Sequence, residues 1–120
     1  MLTFVNNHSE DVWLAYMFYA PDVCGEYGGF QAIGWYHIAP GQSSVPYANS
    51  LGDVNNRYWY VYAENSSRSV VWAGPFLVQV PADGSPFNTC QGIGSTADRQ
   101  IGLQQFDVGD HDDFTVTLVG

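Results

Sequence analysis

Between Arg57 and Glu64 aromatic and branched residues follow one another without a break. An extended backbone of period two sorts them onto two faces, with Trp59, Val61 and Ala63 on one and Tyr58, Tyr60, Tyr62 and Glu64 on the other. A helix would scatter these rings around its circumference, whereas aromatic and β-branched side chains favour a pleated surface. The segment predicts a central strand of an all-β domain.

The rest of the chain carries the same signals. Residues 2–5 predict a first strand, followed by a polar connection of turn formers from Asn6 to Asp11. Residues 12–19 predict a longer strand with Val12, Leu14, Tyr16 and Phe18 on one side and Trp13, Ala15, Met17 and Tyr19 on the other. Both sides are apolar, so this strand should be covered on both faces or lie at an interface. Further strands are expected at residues 33–38, 43–47, 70–72, 76–80, 101–108 and 114–119. Pro40-Gly41 favours a type II turn, and Gly74-Pro75 a bulge or corner. Ile101 and Leu103 share a parity that Phe106 and Val108 do not, which predicts a bulge at Gln104-Gln105. Residues 81–100 read as the longest loop, a place where binding often resides. About eight strands separated by turn signals, with no long amphipathic helix, imply one domain over residues 1–120. Its expected form is an antiparallel β-sandwich, with a closed barrel as the alternative. The first and last strands either pair or stand as exposed edges.

A chain of 120 residues is long enough for a single core, and 46% hydrophobic against 12% charged residues sets it apart from disordered sequences. Twelve acids face three arginines and no lysine, a formal charge of −9. Such a field repels phosphate backbones and anionic lipids, so nucleic acid is not an expected partner. No apolar run reaches the roughly 20 residues of a membrane span, so no insertion is expected. The start of the chain reads as a strand and not as a signal peptide, which leaves a cytoplasmic protein or a mature one whose leader has been removed. Cys24 and Cys90 lie in loop segments with no second sulfur nearby, so a disulfide is favoured over a metal site, and with it an oxidising setting, secreted or in the cell envelope. Two free thiols are the alternative.

Several segments in order resemble the family catalogued as domain of unknown function 1036: residues 2–7, Gly34 to Gly41, Arg57 to Glu64, Trp72-Ala73-Gly74, Phe106 to Gly109 and Phe114 to Leu118. Members of that family are small bacterial proteins, many similar to secreted forms, without an established activity. The resemblance implies a compact envelope protein and supplies no catalytic residue. Family members tend to carry cysteines where this chain has Val5 and Ser43, so their disulfide pattern does not transfer.

Candidate chemistry is sparse. Asp107, Asp110, Asp112 and Asp113 crowd a glycine-containing turn and would suit calcium if they converged, although the same residues are ordinary in a solvated hairpin. His8, His37 and His111 show no two-histidine ligand spacing. No nucleophile elbow is present, and Glu10, Glu26 and Glu64 are the glutamates among which a glycosidase pair would be sought. Asn7-His8-Ser9 and Asn65-Ser66-Ser67 match glycosylation acceptors, a pattern short enough to recur by chance. Tyr58, Tyr60 and Tyr62, with Trp35, Tyr36 and Trp72, would form an aromatic patch for a sugar ring or a partner protein. Equally, most of these rings would line a core with their hydroxyls at the surface. The expected function is a non-catalytic binding module for a protein or neutral glycan without a cofactor. A self-assembling subunit joined through edge strands is the alternative, and a glycan hydrolase is the third reading.

Overall fold

The computed structural model describes residues 1–54, 56–81, 85–90 and 99–119. Over these the protein is all-β. Its strands are β1 (Leu2–Asn6), β2 (Val12–Tyr19), β3 (Phe30–Ile38), β4 (Ser43–Tyr47), β5 (Tyr58–Asn65), β6 (Val71–Trp72), β7 (Phe76–Val80), β8 (Phe87–Cys90), β9 (Arg99–Asp107) and β10 (Phe114–Leu118). One helical turn, Pro21–Cys24, and short 3-10 turns at Gly25–Tyr27 and Leu51–Asp53 complete the described elements.

The strands form a small sheet in the order β10-β1-β4 and a large sheet in the order β7-β9-β5-β2-β3-β8, with β6 beside β5. The first and last strands do pair, and they run parallel, with Leu2 opposite Phe114 and Asn6 opposite Leu118. The other pairs are antiparallel. The large sheet curls until it is nearly closed, and it carries a core on each face. On one face Leu2 and Phe4 of β1 and Leu118 of β10 pack on Val12, Leu14, Tyr16, Phe18, Trp59 and Val61. On the other, Ala15, Met17, Tyr60, Tyr62, Val78, Val80, Ile101 and Leu103 pack together inside the curl. The two apolar sides of β2 are explained at once, because this strand lies between β3 and β5 with a core above and below. Trp13 is the exception; it is 40% exposed and stacks on His37 with ring centroids 4.5 Å apart.

The Pro40-Gly41 turn forms as the sequence predicts. Gly41 takes φ +75°, and the Gln42 N–H donates to the Ala39 carbonyl at 3.0 Å. Gly74-Pro75 is a corner, where the chain leaves β5 after β6 and joins β9 as β7.

Two expectations are corrected. There is no bulge at Gln104-Gln105: the register of β9 runs unbroken from Tyr58 opposite Asp107 to Val61 opposite Gln104, and from Phe76 opposite Leu103 to Val80 opposite Arg99. The change of parity is real and has another cause. Ile101 and Leu103 point into the curl, whereas Phe106 and Val108 point to the opposite face against the first core. Register shifts lie elsewhere: in β3, where Ala15 pairs with Gly34 and Leu14 with Tyr36, leaving Trp35 as the extra residue, and in β4, where Leu2 pairs with Tyr47 and Phe4 with Ser44. Residues 81–100 are also not all loop. Phe87–Cys90 pairs with β3, and Arg99 and Gln100 begin β9. Residues 82–84 and 91–98 of the expected binding loop lie outside the described residues.

Candidate functional site

Alternate residues of a strand aim their backbone groups at opposite edges, and β10 shows which way each points. The Phe114 N–H donates to the Met1 carbonyl at 2.9 Å, and the Leu118 carbonyl accepts from the Asn7 N–H at 2.9 Å. Phe114, Val116 and Leu118 thus face β1. Thr115 and Thr117 turn their N–H and C=O groups to the outer edge, where the small sheet has no further strand among the described residues. The edge ends at Val119, whose carbonyl accepts the Trp72 indole N–H at 3.1 Å. The opposite edge of the same sheet is treated differently. In β4, Pro46 has no N–H to offer, and its carbonyl accepts the Tyr16 hydroxyl at 3.2 Å.

Beside the β10 edge lies a groove of about 320 Å³ lined by Val61, Trp72, Gln104, Phe106 and residues 114–118. Its position follows from the topology. The small sheet stops at β10, while the large sheet continues beyond β5 into β9 and leaves part of its face uncovered. Phe106 and Phe114 stack at the end of the groove where β10 begins, with centroids 5.7 Å apart. A second cavity of about 450 Å³ opens between Leu51, Val54, Asn56, Arg57, Val108, Asp110 and His111. There Arg57 is tied to Asp107 at 2.8 Å, and His111 Nδ1 lies 3.0 Å from the Val108 carbonyl.

The predicted aromatic patch is dispersed over the molecule. Tyr60 and Tyr62 are 7% and 6% exposed inside the curl, and Trp35 packs on the same core edge-to-face with Tyr62. Tyr36 and Trp72 pack on the other core, and Tyr58 stands exposed beneath Arg57. The curl of the sheet is what closes over the tyrosine face. Of the six rings only Trp72 lines the groove. Alternation along β5 could sort the rings but could not say which face would be covered.

At the rim of the curl the tyrosine face ends in a charged cluster. Glu64 is 5% exposed, and its carboxylate is held by Arg99 and by Arg68, the latter at 2.7 Å. The Tyr62 hydroxyl donates to Glu64 Oε1 at 3.1 Å and accepts from Arg99 Nη2 at 2.9 Å. The guanidinium of Arg99 also lies over the Trp35 and Tyr62 rings at 5.5 and 5.7 Å. Desolvation, and next the Glu64 charge, push the Tyr62 pKa up; desolvation does the same for Tyr60 and Tyr16.

The four aspartates do not converge. Asp107 is held by Arg57 and accepts the Gly109 N–H at 2.7 Å; the Arg57 hydrogen bond first, and that N–H second, keep its pKa below the usual carboxylate range. Asp113 lies 2.8 Å from the Met1 amino group. No group of three or more His, Cys, Asp or Glu able to hold a metal ion occurs among the described residues. Glu10 accepts hydrogen bonds from Asn65 Nδ2 and from Ser67 Oγ, both at 3.1 Å, and from the Ser67 N–H at 3.2 Å. Asn65 is fully buried, donating also to Ser69 Oγ and accepting the Val70 N–H, which gives it a structural role.

Cys24 and Cys90 form the expected disulfide, with Cα atoms 5.5 Å apart. It fastens the helical turn after β2 to β8, the outer strand of the large sheet. No helix among the described residues is long and apolar enough to cross a membrane. Comparison with known protein families, curated proteins and solved structures yields no match.

Proposed function

We propose that this protein is a non-catalytic interaction module, secreted or resident in the cell envelope, that docks a segment of a partner protein along β10. One observation carries this reading: Thr115 and Thr117 leave their backbone groups on an edge that no strand covers among the described residues, directly beside an apolar groove. A protein segment has both backbone groups to pair with such an edge and side chains to fill the groove, whereas a neutral glycan has neither. Two of the three tyrosines that a sugar would stack on, Tyr60 and Tyr62, are committed to the core inside the curl. The Cys24–Cys90 disulfide supports the extracytoplasmic setting. A hydrolase has less support, because Glu10 and Glu64 are both engaged by neighbouring side chains.

Selection of peptides from a random display library, followed by amide shift mapping of a selected peptide, tests this. The expected shifts fall on β10, on Gln104 and Phe106, and on the Trp72 indole. Failure to select any peptide, or shifts clustered on another face, would overturn the reading.

A further inference from the structure

The docking reading above leaves open what kind of segment the edge accepts. We infer that it takes an extended strand antiparallel to β10, with apolar residues at alternate positions and basic residues immediately after them. This inference rests on that reading and deepens it. Three observations lead to it.

The first is the parity of β10. Among the described residues of β10, Thr115 and Thr117 offer outward N–H and C=O groups, and the Trp72 indole occupies the next outward carbonyl at Val119. An antiparallel strand would exchange both backbone bonds with Thr115 and again with Thr117, four bonds in all by ladder geometry. Antiparallel addition is preferred because its pairing is the more stable per residue and is also the commoner in proteins.

The second is the direction of the side chains. Directly opposed residues share a face, so partner residues opposite Phe114, Val116 and Leu118 would point toward the groove. Those opposite Thr115 and Thr117, both exposed, would point to solvent. The partner is therefore apolar only at alternate positions.

The third is charge. The formal charge is −9 at pH 7, and each of the three arginines already sits in an ion pair, Arg57 with Asp107 and Arg68 and Arg99 with Glu64. Asp110 and Asp112 are exposed and have no ion-pair partner among the described residues; together with Asp113 they precede the start of β10. An antiparallel strand ends where β10 begins, so its residues beyond the apolar stretch reach these carboxylates. A lysine or arginine there is attracted, and a second copy of this chain, with the same negative charge, is repelled.

The test uses a synthetic peptide in which threonine alternates with valine and two lysines follow, compared with one carrying the lysines at its amino end. Binding to the intact, oxidised protein is followed by calorimetry. The lysine-ended peptide should bind about tenfold more tightly than its reversed counterpart at low salt, and added salt should shrink the difference. N-methylation at the threonines opposite Thr115 and Thr117 should weaken binding about tenfold or more, while N-methylation at the valines, whose N–H groups point away from β10, should leave it unchanged. Thr117→Pro should abolish binding and keep the fold, since the N–H it removes faces solvent. Because the methylated peptides leave the protein untouched, the test stands even if that variant unfolds.

Peptides that bind in the groove with no effect of N-methylation would overturn strand pairing and leave the docking reading intact. Equal affinity for the two lysine placements would overturn the orientation. A dimer of the protein alone, in the same concentration range, that Thr117→Pro abolishes would replace the peptide with a second copy. Absence of binding by every selected and designed peptide would remove the docking reading itself.

Discussion

The Gly74 N–H donates to the Gly102 carbonyl at 3.0 Å, beside the point where β9 passes from pairing with β5 to pairing with β7. A Cβ on Gly102 would collide with the Gly74 carbonyl oxygen, and one on Gly74 would lie 2.6 Å from the Leu103 oxygen. Two backbones cross here with no room for side chains. Gly102→Ala should therefore destabilise the fold by about 2 kcal/mol, as overpacking against backbone does. Urea unfolding measures it; a variant as stable as the parent would show that the two chains can part without cost.

The cluster around Glu64 makes an uneven prediction. Arg99 is largely buried beside Glu64 and bonds Tyr62 as well, while Arg68 reaches the same carboxylate from an exposed position. Arg99→Ala should cost about 3 kcal/mol by leaving the buried carboxylate under-paired. Arg68→Ala should cost less than about 1 kcal/mol. Equal losses in denaturant unfolding would contradict this division.

Alkaline pH should unfold the protein through its buried tyrosines. Burial holds Tyr16, Tyr60 and Tyr62 protonated in the fold, so their folded pKa values lie above the unfolded value of about 10. The stability linked to this is fully present below the unfolded value and is lost as pH rises through the raised folded values. Tyrosinate absorbance recorded beside circular dichroism should show a late group of hydroxyls that ionises together with loss of the fold. Complete ionisation ahead of any structural change would place those rings in solvent.

The disulfide joins residues 66 apart in the chain. On the chain-entropy account its reduction should lower stability by about 4 kcal/mol. The effect should be strongest on β8, which the bridge and a 2.6 Å hydrogen bond from Gln31 Nε2 to Asn88 Oδ1 hold at the sheet edge. Thermal unfolding of a Cys24→Ser, Cys90→Ser double variant checks the first statement, and exchange of the Thr89 amide checks the second.

The strands that carry their own alternation, β2 and β5, were legible from residues 12–19 and 57–64 because period two is a local property. What that periodicity leaves open is which side of a sheet another layer will cover. Ile101, Leu103, Phe106 and Val108 looked like one face broken by a bulge, when they are two faces of one regular strand serving two cores. Tyr60 and Tyr62 looked available for a ligand for the same reason, since the curl that buries them is a tertiary event. β8 was hidden because Phe87-Asn88-Thr89-Cys90 is short and becomes a strand through β3 and a distant cysteine. The proposed docking edge was half visible. Its uncharged alternating residues and the acidic turn before them stand in the sequence, whereas its lack of an outer neighbour and the groove beside it depend on strand order.

Amide hydrogen exchange along β10 in the free protein tests the central claim most directly. If Thr115 and Thr117 face an open edge, their amides should exchange far faster than those of Val116 and Leu118, whose N–H groups point to β1. Uniform protection from Phe114 to Leu118 would mean that the edge is already occupied, and the docking account would be wrong.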